Sequence, residues 1–128
     1  MEKKIWGNKI RLVETPTVVV DLLTIKPNSF CSFHHHDYKY NMFFILEGIV
    51  TIQQEKDSYI VLRQYDNFVV EPKTKHQFIA TTKAKMLEIM YTKPVLEEDI
   101  IRICQGGKII KGRFVTENEI KVRGLKNI

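Results

Sequence analysis

The sequence predicts an all-β fold, a sandwich or barrel formed as a single domain, and three observations carry that reading. Apolar residues come in short runs rich in β-branched and aromatic side chains, the types that suit a pleated surface. These runs recur at short intervals between turn residues, the pattern of sandwiches and barrels. The chain has 128 residues, 44% of them hydrophobic, which fills one core and argues against a second catalytic domain.

The elements are taken in chain order. "TVVVDLLTI" reads as the first strand, closed by the turn "KPNS" at residues 26–29. "NMFFILEG" is the second. "IVTIQQ" and "SYIVLRQ" flank the polar "EKDS" at residues 55–58 and form a hairpin. "NFVVEP" leads into the turn "EPKTK" at residues 71–75, whose proline cannot sit inside a central strand. "HQFIATT" and "KMLEIMY" complete a barrel core of about residues 16–92. In the extension, residues 93–128, "PVLEEDIIRI" carries both helix and strand signals and "QGGK" ends it; the residues after it read as peripheral.

The formal charge is +5, with a basic run of Lys111, Arg113, Lys121, Arg123 and Lys126 near the end. Such a balance suits a small anionic ligand. No interleaving of aromatics with arginine marks a single-strand binder, so nucleic acid is not an expected partner. Cys31 and Cys104 lie far apart, in no CxxC spacing, and no apolar segment succeeds the opening "MEKK". The expectation is a cytoplasmic protein with reduced thiols. No apolar run approaches the roughly 18 residues of a membrane span, so no membrane partner is expected.

The chemistry concentrates in "FHHHDYKY", residues 33–40. Alternation along a strand places Ser32, His34 and His36 on one face, Phe33 and His35 on the other. Two imidazoles two residues apart can reach one ion, and zinc, iron, manganese and nickel all accept imidazole. His76 opens a later strand, on which His76, Phe78 and Ala80 share a face. His35 is expected at the surface.

In these residues the chain resembles the cupins, small jelly-roll barrels (double-stranded β-helices) with two metal-binding motifs. The first motif maps onto Asn28, His34, His36, Asn41 and Gly48 with its spacing intact; Asn28 stands for a glycine and Asn41 for a glutamate. The second maps onto "YDNFVVEPKTKH", with Asp66, Pro72 and His76 kept, Tyr65 in place of a glycine and Ala80 in place of an asparagine. The flanks "KIWG" and "VLEEDIIR" are similar to those around the cupin domain of type II mannose-6-phosphate isomerases, which read "PWG" and "EDDIVR". That likeness covers roughly residues 3–103.

The resemblance implies a divalent metal ion held by His34, His36 and His76, with Asn41 as a weak or vacant fourth ligand. It places Lys39 and Arg102 on basic positions suited to an anionic sugar phosphate, and it implies Lewis-acid-assisted isomerisation of a sugar phosphate or nucleotide sugar. Glu71, Glu98 and His76 are the candidate bases. The alternatives are a three-histidine iron dioxygenase and a non-catalytic module binding a carbohydrate or effector. Cupin barrels commonly pair through strand edges, so a homodimer is expected.

Overall fold

The computed structural model describes residues 1–55, 57–92 and 107–123. "VVVDLLTI", Val18–Ile25, forms a strand in which Asp21, Leu23 and Ile25 are buried and the residues between them are less so. "YNMFFILE", Tyr40–Glu47, repeats the pattern with Asn41, Phe43 and Ile45 inward. This period of two makes each strand one wall of a two-layered barrel.

In chain order the strands of the unit Met1–Pro94 are β1 (Glu2–Lys4), β2 (Gly7–Glu14), β3 (Val18–Ile25), β4 (Ser29–Phe30), β5 (Tyr40–Glu47), β6 (Val50–Gln53), β7 (Tyr59–Leu62), β8 (Asn67–Val70), β9 (Gln77–Ala80) and β10 (Ala84–Tyr91). One sheet has the order β1-β2-β3-β10-β5-β8 and the other β4-β9-β6-β7, with antiparallel neighbours throughout. Leu23, Ile25, Phe43, Ile45, Val70 and Met86 of the first sheet face Cys31, Val50, Ile52, Leu62, Phe78 and Ala80 from the side of the second. The hairpin predicted around residues 55–58 joins β6 to β7, with Gln54 N–H donating to the Ser58 carbonyl at 2.7 Å.

Two strands precede the expected core. β2 pairs along most of its length with β3, so the sheet begins well before residue 16. The tryptophan and glycine of "KIWG" have structural roles here. Trp6 is buried with its ring 5.0 Å from that of Phe78, edge to face, so it ties the start of the chain to β9. Gly7 has φ 151, and a Cβ there would lie 1.9 Å from the Thr24 carbonyl oxygen. Only glycine admits that approach of β2 to β3.

The chain has a second compact unit, Val95–Ile128. β11 (Gly107–Ile110) and β12 (Arg113–Thr116) form a hairpin, with α1 (Glu117–Arg123) directly after it. Lys111 and Gly112, at φ 50 and 77, supply its turn, so part of the extension expected as peripheral is ordered secondary structure. The stretch "PVLEEDIIRI", with Glu98 and Arg102, lies outside the described residues, as does Cys104. No helix among the described residues is long and apolar enough to cross a membrane.

Gly7→Ala is expected to destabilise the fold by about 3 kcal/mol, the upper end of ordinary point substitutions, because backbone must move to admit the methyl group. Urea unfolding of the two proteins checks this; equal midpoints would contradict the close approach of β2 and β3.

Candidate metal centre

The three histidines come together on a pair of chain segments that continue the four-stranded sheet beyond β4 and β9. Ser29 lies opposite Ala80 and Phe30 opposite Ile79, and Cys31 N–H donates to the Phe78 carbonyl at 3.2 Å. Straight counting would then set Phe33 opposite His76. Instead His34 does so: its N–H donates to the His76 carbonyl at 3.0 Å and receives the return bond at 2.8 Å. One extra residue has been taken up between Cys31 and His34, a bulge-like slip that reverses which side chains face inward. Gln77 stabilises it, its Nε2 donating to the Cys31 carbonyl at 2.9 Å.

The slip decides the site. Cys31 points into the core, so unbroken alternation would have turned Phe33 and His35 inward. With the slip, Phe33 and His35 are exposed, and His35 pairs with Asp37 at 3.2 Å. His34 and His36 are half-buried and His76 is buried. His36 lies past the paired residues, held where Lys73 N–H donates to its carbonyl at 2.6 Å. The expectation that His34 and His36 share a face therefore stands, but they do not open β5, which begins at Tyr40.

One ring nitrogen from each of His34, His36 and His76 lies within 4.8 Å of the others. Ring centroids are 5.1 Å apart for His34 and His36, and 4.7 Å for His34 and His76. Second contacts set the tautomers. His34 Nδ1 lies 2.9 Å from the Ser32 carbonyl and His76 Nδ1 2.9 Å from the Thr74 carbonyl. A carbonyl can only accept, so these contacts favour a proton on Nδ1 of each ring, which in the neutral ring leaves Nε2 free for an ion; the Ser32 hydroxyl also lies 3.0 Å from His34 Nδ1. Burial, and after it in His36 the charges of its neighbours, lowers the pKa of His36; burial outweighs the Thr74 bond and lowers that of His76. Three imidazoles so arranged fit a divalent ion.

Asn41, the expected weak ligand, is fully buried on β5. Its Nδ2 lies 3.4 Å from His76 Nε2 and donates to Glu88 Oε2 at 3.3 Å, while its Oδ1 has no partner. Lys39 is exposed, and its charge contributes, after burial and His34, to lowering the pKa of His36. Glu71 is exposed on its turn. Among the described residues Phe43 packs at the site, 6.0 Å from the His76 ring, whereas Phe30 and Tyr38 are largely exposed. Cys31 is buried in the core outside the imidazole group, and burial pushes its thiol up to about 12.

The sequence reading missed Asp21 and Glu88. Each is a charged residue at an inward position of an apolar strand, and that parity was the available signal. Burial raises the pKa of Glu88 more than its bond from Asn41 lowers it. The positions where the family pattern has glycine and this chain has Asn28 and Tyr65 keep the left-handed backbone, at φ 54 and 70.

A two-layered antiparallel barrel with an imidazole cluster at the end of its smaller sheet defines the class: a jelly-roll protein with a metal-compatible centre. Residues 21–90 match the cupin domain family, and the chain belongs to it. Among solved structures it is similar to KdgF from Halomonas sp. (TM-score 0.66, 14% identity, 73% of this chain and 87% of that one). It is similar too to a cupin superfamily protein from Desulfitobacterium hafniense (TM-score 0.63, 19% identity, 73% and 84%). The cupin domain of Cnp3 from Schizosaccharomyces pombe gives a TM-score of 0.65 at 9% identity, over 73% of this chain and 69% of that one. No curated protein matches the sequence.

Lowered imidazole values have a definite sign. The unfolded rings take up protons near the ordinary 6.5 and the folded rings only at lower pH, so the unfolded chain binds more protons in between. The metal-free protein should therefore lose stability as pH falls from about 7.5 to 5.5. His36→Asn/His76→Asn should lose less. Melting curves at the two pH values check this, and equal losses would contradict the burial of these rings; the opposite contribution of Glu88 is common to both proteins and cancels.

Proposed function

We propose that this cupin is a metal-dependent enzyme acting on a small anionic hydroxy-carbonyl compound, a sugar phosphate or nucleotide sugar, by isomerisation. The observation that carries the reading is the three-imidazole cluster, buried at His76 and half-open at His34 and His36. Its inner side is closed by Phe43 and its outer side is accessible. A ligand would approach from the His34 and His36 side.

His34, His36 and His76 would hold a divalent ion, which would supply Lewis acidity toward a carbonyl oxygen. The protein's own groups do the positioning. The Ser32 and Thr74 carbonyls hold two rings with their Nε2 atoms inward, and the bulge holds His34 beside His76. Lys39 offers a solvent-facing cation near His36, suited to the phosphate of the ligand. The likeness of the flanks to type II mannose-6-phosphate isomerases supports the choice of substrate class.

The test is to load the protein with zinc, manganese, iron or nickel and assay mannose 6-phosphate and related sugar phosphates for aldose–ketose conversion. Turnover should depend on the ion and vanish in His36→Ala. Lys39→Ala should raise KM about five- to tenfold with kcat nearly unchanged, as expected for a contact made equally in ground and transition states. Binding of a sugar phosphate without turnover would replace the enzyme reading by a binding module, and oxygen uptake with a thiol substrate would replace it by a dioxygenase.

A further inference from the structure

Two carboxylates stand side by side on the inner face of the six-stranded sheet, Asp21 on β3 opposite Glu88 on β10. Asp21 is fully buried and well matched. Arg11 Nε and Nη2 donate to its two oxygens at 3.0 and 3.3 Å, and Lys9 Nζ lies 3.9 Å away. Both cations are further engaged, Arg11 by Glu14 at 3.2 Å and Lys9 by Glu2 at 3.4 Å. Glu88 has no ion pair among the described residues. Its hydrogen-bond partner is the Asn41 amide, at 3.3 Å.

A desolvated carboxylate without a paired cation costs stability, and burial, with the Asp21 charge, raises the pKa of Glu88 against the Asn41 bond and the more distant Lys9 and His34, which lower it. The Asn41 NH2 group that binds Glu88 also lies 3.4 Å from the lone pair of His76 Nε2. Glu88 is thus linked through one amide to the ring cluster, and the cation it lacks is the one the rings are built to hold. Asn41 Oδ1, buried and unpartnered, is a second sign that this corner is incomplete by itself.

We propose that Glu88 is the anionic member of the metal centre, supplying from β10 the charge that Asn41 cannot supply from β5, and positioning the Asn41 amide beside the ion. This rests on the reading of His34, His36 and His76 as a metal site. With Glu88 ionised, a divalent ion at three neutral imidazoles leaves a net charge of +1 instead of +2, the same as for three histidines with a carboxylate ligand. Glu88 acts on the ion through Asn41 and is a positioning residue.

The experiment titrates wild type, Glu88→Gln, Glu88→Asp and Asn41→Glu/Glu88→Gln with zinc and manganese against a chromophoric chelator, and melts each protein metal-free. Glu88→Gln should bind both ions about ten- to a hundredfold more weakly, the usual effect of removing an outer partner of a metal site. Its metal-free form should melt at or above wild type, because glutamine keeps the side chain's shape and its contact with Asn41 without a desolvated carboxyl group. Glu88→Asp should bind more tightly than Glu88→Gln, and the double variant should recover affinity, since the carboxylate has been returned to β5. Affinity within twofold of wild type in Glu88→Gln would overturn the proposal. So would a parallel loss of metal-free stability and affinity, the mark of a structural role. Absence of metal binding in wild type would remove the metal reading itself and this proposal with it.

Discussion

His34 and His76 exchange both backbone hydrogen bonds, at 3.0 and 2.8 Å, and the rest of the site depends on that pair. A pair joined by two bonds places its side chains next to each other on one face of the ladder. Because the pairing has slipped by one residue relative to β4 and β9, that face is the barrel interior. Without the slip, Phe33 and His35 would face inward, and His34 and His36 would point to solvent, away from His76. The Gln77 side chain on the Cys31 carbonyl satisfies backbone that the slip leaves unpaired.

The same sheets divide the barrel interior into two environments. Leu23, Ile25, Ile45, Val50, Ile52 and Met86 form a fully apolar region. Beyond it Asp21, Asn41 and Glu88 line the inner face of β3, β5 and β10, next to the imidazoles. Burial at this end lowers the pKa of His36 and His76, and the Ser32 and Thr74 carbonyls orient the rings of His34 and His76. Arg11 and Lys9 form ion pairs with Asp21, whereas Glu88, the carboxylate bonded to Asn41 beside the site, feels Lys9 only at longer range. The core thus supplies stability, and the polar end spends part of it on holding groups where an ion can use them.

How much of this the sequence revealed depended on whether the signal was local. Alternation in "VVVDLLTI" and "NMFFILE", the polar loop "EKDS" and the spacing of His34 and His36 are local patterns, and each has its counterpart in the structure; His76 was found through its place in a second motif. β2 was not legible because "GNKIRLVE" mixes charged and apolar residues at an outer sheet position, where little is buried. The slip between Cys31 and His34 was hidden because it exists only relative to β9, far along the chain. Glu88 was visible as a charge on the inward parity of "KMLEIMY", but its link to the site passes through Asn41 on another strand. Hairpin β11–β12 was missed because its turn, Lys111 and Gly112, lies in a basic stretch that reads as a solvated tail.

The central claim is that three imidazoles gathered by one register slip form a single metal site. A crystal structure of protein soaked in zinc, with diffraction collected on both sides of the zinc absorption edge, tests it most directly. One anomalous peak per chain is predicted, about 2.0–2.1 Å from a ring nitrogen of each of His34, His36 and His76. A peak elsewhere, or none at the cluster under saturating zinc, would contradict it.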